Sequence, residues 1–565
     1  MVETDKLSGN SGNSIRISRS DKIRTRRNTW TNIKSGLAGV FGRVVLCKGV
    51  AWRPFYNQKS NCDSWYKSDP GPPKNVPPCP PLLSQAEADP LYQASTVIQF
   101  FHPGAKADYR SRYPGENSGQ QCVYGEDGKL IIGPPGGGTV DMVTPLSPEE
   151  GSHWDEDVLP WCDCCWNQPD EQCRKYYEKR PSDTGTNYRP PRTARGNGDP
   201  HIRTLDGLQY TFNGEGEFWM IKHRETQGLG FLMQTRMERV SNNLITATVF
   251  SGFTMCSTHN GKQGSIVQIE RSSVTGSFEL YLDGELFPIT NENLLKQNFE
   301  EFSYNAYGFP IVKINIFFYQ GWSFTFELQN NAINIFFSAR QELKGKDING
   351  LLGNFDGLSN NDLITRNGNV IAINSSNEVI HYSFGLNWMV YPNETIFSYR
   401  LGNSFHTYNH PDFKPVFNAP DQTKLSPEVK SICAFSPECL FDYSVTQNIA
   451  FANSTRQSVL RFTQSEEILN MPIDLCRPFL PIENGYINSS AGYYANSTIY
   501  FNCNIGFSLQ GPTSSICING VWTNSSPICS NNDNFPSLIT IIAFAVSAIS
   551  LLLCCGILSI ICTKL

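Results

Sequence analysis

The chain has 565 residues, 39% hydrophobic, 12% aromatic and 17% charged, with 45 Gly, 35 Pro and 18 Cys. A formal net charge of −6 and a sequence pI near 5.8 exclude the basic footprint of a nucleic-acid-binding protein. The length allows several domains, and this balance fits turn-rich extracellular β modules better than helical cytosolic enzymes.

Residues 1–51 are polar and basic at their start, with Lys22, Arg24, Arg26 and Arg27, and the nearest apolar run, residues 35–47, is broken by Arg43. A secretory leader needs an uninterrupted apolar core after its basic stretch. These residues are therefore left unassigned and expected to be an incomplete or misjoined N-terminus.

Residues 52–195 are loop-rich and carry Cys62, Cys79 and Cys122, then the cluster Cys162, Cys164, Cys165 and Cys173 in DVLPWCDCCWNQPDEQCRKYYEKRP. The cluster lacks the paired C-x-x-C knuckles of structural zinc sites, so disulfides are the expected state. The CCxW string and the KRP…YRPPR tail resemble the AMOP domain, an extracellular module of adhesion proteins and membrane mucins.

From residue 196 to 391 apolar and polar residues alternate in runs such as FELYLDG from Phe278 and SFTFELQNNAINIFFSA from Ser323, punctuated by Gly and Asn-Asn turns. Period two predicts half-buried antiparallel strands and a β-sandwich-like domain. GNGDPHIRTLDGLQYTFNGEGEFWMI and GLLGNFDGLSNNDLI resemble the two signature segments of the von Willebrand factor type D domain. Where that family carries a cysteine this chain has Leu352, and Cys256 is the single cysteine of the region. Disulfide-driven polymerisation through this domain is not expected.

Two places in this domain carry chemistry. The loop Asn354 to Asp362 gathers carboxylate and amide oxygens around glycine, a composition that suits a hard cation needing six to eight oxygen ligands. It is not an EF-hand, because Thr365 stands where the bidentate Glu would sit. The type D resemblance implies a structural calcium site made of Asp206, Asn354, Asp356, Asn361 and Asp362; the alternative is that these residues only make turns. The second place is Gly198-Asp199-Pro200-His201. An Asp carboxyl can attack its own peptide carbonyl, and the tertiary amide of Pro is a comparatively good leaving group. Several membrane and secreted relatives with this tetrapeptide are cut at that bond, so the resemblance implies self-cleavage between Asp199 and Pro200; the alternative is a purely structural turn.

Residues 392–474 read as a connecting region with a local disulfide, Cys433 to Cys439, and with His406 and His410 as solvated loop residues. Residues 475–530 hold Cys476, Cys503, Cys517 and Cys529 with Trp522, too small a unit to fold without cross-links. Four cysteines allow three pairings. CRPFLPIENGYI and SSICINGVWTNSSPIC resemble a sushi module, and that resemblance implies Cys476 with Cys517 and Cys503 with Cys529.

Six N-x-[ST] sequons, at Asn374, Asn393, Asn453, Asn488, Asn496 and Asn524, indicate glycosylation in an oxidising lumen. They precede residues 537–562, an uncharged apolar stretch long enough for one transmembrane helix, with 563–565 as a cytoplasmic tail. The expected fold class is therefore mainly β and multidomain: a disulfide-rich loop module, a β-sandwich-like type D domain, a small β sushi module and one C-terminal transmembrane helix.

This order of modules resembles the family of sushi-domain-containing protein two and mesh. The resemblance implies a plasma-membrane, single-pass protein with its N-terminal side outside. Its expected role is cell–cell or cell–matrix adhesion, or junction organisation, with extracellular or lateral membrane proteins as partners. A membrane-mucin-like receptor or barrier component processed at Asp199–Pro200 is the alternative. With no G-x-S-x-G, H-E-x-x-H or P-loop string, an enzyme is not expected.

Overall fold

The computed structural model describes Cys47 and residues 57–531 apart from short internal segments. Among the described residues no helix is long and apolar enough to cross a membrane. The span expected at 537–562 lies outside them, as do nearly all of residues 1–51 and the tail.

The N-terminal module combines helices α1 (Gln58–Ser68), α2 (Leu83–Ala88), α3 (Leu159–Cys164) and α4 (Asp170–Lys179) with a four-stranded sheet. Its strands β1 (Tyr92–Ser95), β2 (Ala107–Ser111), β3 (Gly119–Tyr124) and β4 (Val140–Asp141) lie in sequence order. Disulfides Cys47–Cys162, Cys62–Cys164, Cys79–Cys122 and Cys165–Cys173 hold the helices and sheet where apolar surface is scarce. One cluster joins four of these cysteines' neighbours, Phe101, Trp161, Tyr176 and Tyr177. Fully buried Arg180 pairs with Asp69 and Asp157, each at 2.8 Å, and so ties the end of α4 to the loop after α1.

The central domain is a sandwich of two antiparallel sheets. One contains β8 (Gly216–Thr226), β9 (Leu229–Arg239), β10 (Thr248–His259), β11 (Lys262–Gln263), β12 (Val267–Arg271), β13 (Phe278–Leu282), β14 (Glu285–Phe287) and β20 (Ile348–Asn349). Its order is β14-β13-β12-β10-β9-β8-β20, with β11 on β10. The other comprises β5 (Arg192–Asn197), β6 (His201–Arg203), β7 (Gln209–Thr211), β15 (Lys296–Asn298), β16 (Phe302–Tyr307), β17 (Lys313–Phe318), β18 (Trp322–Gln329) and β19 (Ala332–Ala339). It runs β15-β16-β17-β18-β19-β5-β6-β7. Alternation in β18 sends Trp322, Phe324, Phe326 and Leu328 into the core, where Phe231 of the opposite sheet stacks on Trp322 and Phe324. Asn330 and Asn331, both at positive φ, make the two-residue turn joining β18 to β19, as the Asn-Asn pattern predicts.

Residues 392–413 continue along the first sheet rather than leaving the domain. Gln234 bonds the Glu394 carbonyl and the Ile396 N–H, and Gln268 does the same for Ser398. Three helices follow: α5 (Pro427–Cys433), α6 (Pro437–Thr446) and α7 (Ile449–Leu469). Disulfide Cys433–Cys439 closes α5 on α6, and α7 lies across the second sheet, stacking Phe462 on Phe336 and pairing Glu466 with Arg203 at 2.7 Å. The last module is a small β unit with disulfides Cys476–Cys517 and Cys503–Cys529, the pairing that the sushi resemblance implies. It docks on the N-terminal module through Tyr494, whose hydroxyl accepts from the Leu130 N–H at 2.9 Å and donates to the Pro81 carbonyl.

Candidate functional site

The Asp199–Pro200 bond lies in the turn between β5 and β6 and is completely buried. Gly198 takes φ +62, a conformation that costs glycine little. Its absent side chain matters as much, because a Cβ there would collide with Asp442 Oδ2 and Thr455 Oγ1. Asp199 Oδ1 accepts from the Thr248 N–H at 3.2 Å, whereas Oδ2 is buried with no hydrogen-bond partner. Burial, and then the charge of Asp442, push the Asp199 carboxyl up to about 8, so it holds its proton at neutral pH. His201 bonds Asp442 Oδ1 through Nε2 at 2.8 Å and Thr211 Oγ1 through Nδ1 at 2.8 Å. Burial opposes its charge, but the Asp442 carboxylate outweighs burial and raises its pKa. The turn thus holds a buried carboxyl whose protonated form is favoured and whose Oδ2 lies outside the hydrogen bond to Thr248.

The acidic loop is built differently. It runs from Gly353 to Asp362, close to Asp206 in the turn after β6. Asp206 Oδ2 accepts from the Gly357 N–H at 3.0 Å, and Asn361 Nδ2 donates to Asp356 Oδ2 at 2.7 Å. Asp362, fully buried, accepts from Thr204 Oγ1 at 2.6 Å and from the Asn354 N–H at 3.3 Å. Burial, with Asp206 and Asp356 nearby, pushes Asp362 up to about 7. Two buried oxygens, Asp206 Oδ1 and Asn361 Oδ1, lack any partner. Orphaned acceptors among mutually repelling carboxylates are what a hard cation would satisfy, so the residues fit calcium. The Asn354 and Asn361 side-chain amides both donate to Asp356 Oδ2, at 3.3 Å and 2.7 Å.

Among the described residues, the trio Asp141, His153 and Asp157 brings its ligand atoms within 4.8 Å of one another. Several of its donor atoms are already engaged. Asp141 pairs with Arg110, while Asp157 accepts from Arg180 and from the Met142 and Val143 N–H groups. His153 Nδ1 also contacts the Val143 carbonyl at 2.7 Å. This is a buried ion-pair network of the N-terminal module.

Of the sequon residues, Asn374, Asn393, Asn488, Asn496 and Asn524 are exposed, and Asn453 is half-buried on α7. His406 and His410 are exposed. Every described cysteine except the buried Cys256 is in one of seven disulfides.

Family profiles match four segments: the AMOP domain at residues 57–189, the von Willebrand factor type D domain at 194–369, the Mucin-4-like C8-3 domain at 420–468 and the sushi repeat at 476–529. Sushi domain-containing protein 2 of Homo sapiens is 28% identical over 532 residues, covering 87% of this chain and 62% of that protein. The chain is a relative of Sushi domain-containing protein 2 and mesh. Protein mesh of Bombyx mori is 26% identical over 469 residues, covering 75% of this chain and 29% of its own. Mucin-4 of Mus musculus is 26% identical over 463 residues, covering 79% and 12%. This chain therefore spans less than two thirds of the length of each of these relatives.

The C8-3 segment is the part that sequence reading passed over as a connection. Its signal was present: Ser426-Pro427-Glu428 and Ser436-Pro437-Glu438 each supply an N-cap, Pro at the first helical position and an acidic first turn. Asp442, which bonds the Asp199 turn, and Thr455, which lies against Gly198, both come from it.

Proposed function

We propose that the chain is the extracellular part of a single-pass cell-surface glycoprotein that acts in cell–cell or cell–matrix adhesion or junction organisation, by binding rather than by catalysis. Its partners are other extracellular or lateral membrane proteins, and calcium at Asp206, Asn354, Asp356, Asn361 and Asp362 stiffens the type D domain. The reading rests on one observation above all: seven disulfides cross-link the modules on either side of the type D domain, and such bonds are characteristic of an oxidising compartment. Exposed sequons and the apolar stretch 537–562 agree with it. The test is aggregation of cells expressing the full chain, with and without a calcium chelator, alongside surface biotinylation and glycosidase sensitivity. Unglycosylated protein that cannot be labelled at the surface would overturn the reading.

A second reading is favoured by the buried, proton-bearing Asp199: a mucin-like surface component that is processed by breaking its own Asp199–Pro200 bond. The described disulfides each close within residues 47–173 or within residues 433–529, so none of them would tether the two pieces. A reducing gel of the wild type beside Asp199→Ala tests it; a single full-length band in both would dismiss it.

A further inference from the structure

The Asp199 turn belongs to the type D domain, but one face of a helix from the next module holds it. Glu438, Phe441 and Asp442 fall at i, i+3 and i+4 on α6 and so share a face. They meet the turn in order. Glu438 pairs with Arg195 of β5 at 2.9 Å, and the Phe441 ring sits edge-on to His201 at 5.6 Å between centroids. Asp442 Oδ1 accepts from the His201 imidazole at 2.8 Å and from the Asp199 N–H at 3.4 Å. The other Asp442 oxygen accepts from Thr455 Oγ1 of α7 at 2.5 Å. One carboxylate therefore grips the residues on both sides of the Asp199–Pro200 bond and is itself pinned by the neighbouring helix.

We propose that Asp442 is a positioning residue for cleavage of the Asp199–Pro200 bond, so that the bond becomes reactive only when α6 and α7 are seated on the type D domain. This rests on the self-cleavage reading and deepens it. In the step itself, Asp199 Oδ2 forms a bond to the Asp199 carbonyl carbon, and the carbon–nitrogen bond to Pro200 breaks. The nitrogen leaves with that electron pair and takes the carboxyl proton, becoming the amine of a new N-terminus. Asp199 is left as a five-membered cyclic anhydride, which one water opens to give two carboxyl groups. The step needs a protonated carboxyl held against its own carbonyl. The Asp442 charge favours the protonated form, and its hydrogen bonds to the Asp199 N–H and the His201 imidazole hold the residues on either side of the bond. The charged groups around Asp199 are Asp442 and Glu438 on α6, His201 on β6 and Arg195 on β5. Synthesis order adds a consequence: residues 437–469 emerge after the whole type D domain, so the turn stays inert until the C8-3 segment has folded onto it.

The test uses the full chain expressed in cells, comparing wild type with Asp442→Asn and with Arg461→Ala, which disturbs α7 at its distant contact with Glu327. The cut fraction is read on reducing gels, together with surface delivery and the pH profile of cleavage in membrane extracts. The expected result is at least a tenfold slower cut in Asp442→Asn, with its profile displaced to lower pH at normal surface delivery. Arg461→Ala should match wild type. Equal rate and profile in Asp442→Asn would overturn the positioning role alone, whereas an intact wild type would remove the self-cleavage reading and this role with it. Should Asp442→Asn fail to reach the surface, Thr455→Ser and Thr455→Val serve instead. Serine keeps both the Asp442 bond and the Asn453 sequon, and Asn453→Gln controls for glycan loss. Slower cleavage in the valine variant but not in serine or Asn453→Gln supports the role, and wild-type cleavage in all three overturns it.

Discussion

The type D domain carries two acidic sites that differ in what completes them. The loop around Asp356 is almost self-sufficient: its partners, apart from Thr204 and Asp206, come from within ten residues of one another. The turn at Asp199 is finished from more than 240 residues away, by a helix of a different module. A local site depends on its own loop and an ion; a composite site depends on docking. Four measurements press on that difference.

The largest effect is expected from pH at the composite site. Asp199 is raised from 3.8 to about 8, so between those values the folded state keeps a proton that the unfolded state has released, and stability falls as pH rises. His201, also raised, acts in the same direction: its contribution is complete below its unfolded value of 6.5 and is lost as pH passes through its higher folded value. Asp89 and Asp108 are raised by burial too and slope the same way. The informative quantity is therefore the difference between wild type and Asp199→Asn in melting temperature from pH 4 to pH 9. The variant should gain on wild type as pH rises; parallel curves would mean that Asp199 is not protonated in the fold.

Next in size is Gly198→Ala. Its Cβ combines a positive φ with collision against Asp442 and Thr455, and about 3 kcal/mol of destabilisation is expected. Hydrogen exchange should rise in α6 and α7 before it rises in β12 or β13; uniform loosening of the domain would contradict a docking defect.

Calcium removal comes third and should touch only the local site. At free calcium 100 times the dissociation constant, binding contributes about 2.7 kcal/mol, which a chelator removes and Asp356→Asn weakens. Melting measured with and without chelator checks this, and a wild type insensitive to chelation would end the calcium reading. The smallest effect belongs to Arg461→Ala. This half-exposed ion pair with Glu327 is worth about 0.5 kcal/mol, so a loss of several kcal/mol would show that α7 is held at that edge rather than at Thr455.

What sequence shows and what it hides follow the same division. Period two and the Asn-Asn turn identify the strands around Trp322, because alternation is a local property of the chain. Asn354, Asp356, Asn361 and Asp362 are legible for the same reason: they are close in sequence and chemically alike. The sushi cysteines were readable through resemblance, since spacing alone leaves three pairings. Asp442 could not be found this way. On α6 it reads as an ordinary helical acid, and only the fold sets it against His201 and Asp199. Residues 392–413 were equally opaque, because their hydrogen bonds to Gln234 and Gln268 are made by backbone, which any sequence supplies.

Among the described residues, strand β5 is the only strand of the sandwich that precedes Asp199, and it lies in the interior of its sheet, with β19 on one side and β6 on the other. Tension that draws the N-terminal module away along the strand direction loads both ladders in shear, so their hydrogen bonds resist together rather than opening one after another. With the covalent link at Pro200 intact, such a pull is carried by the chain. With it cut, the same pull is carried by those two ladders, by side-chain contacts such as Arg195–Glu438 and by the docking of Tyr494, and withdrawal of β5 would leave β19 and β6 as two open edges facing a slot one strand wide.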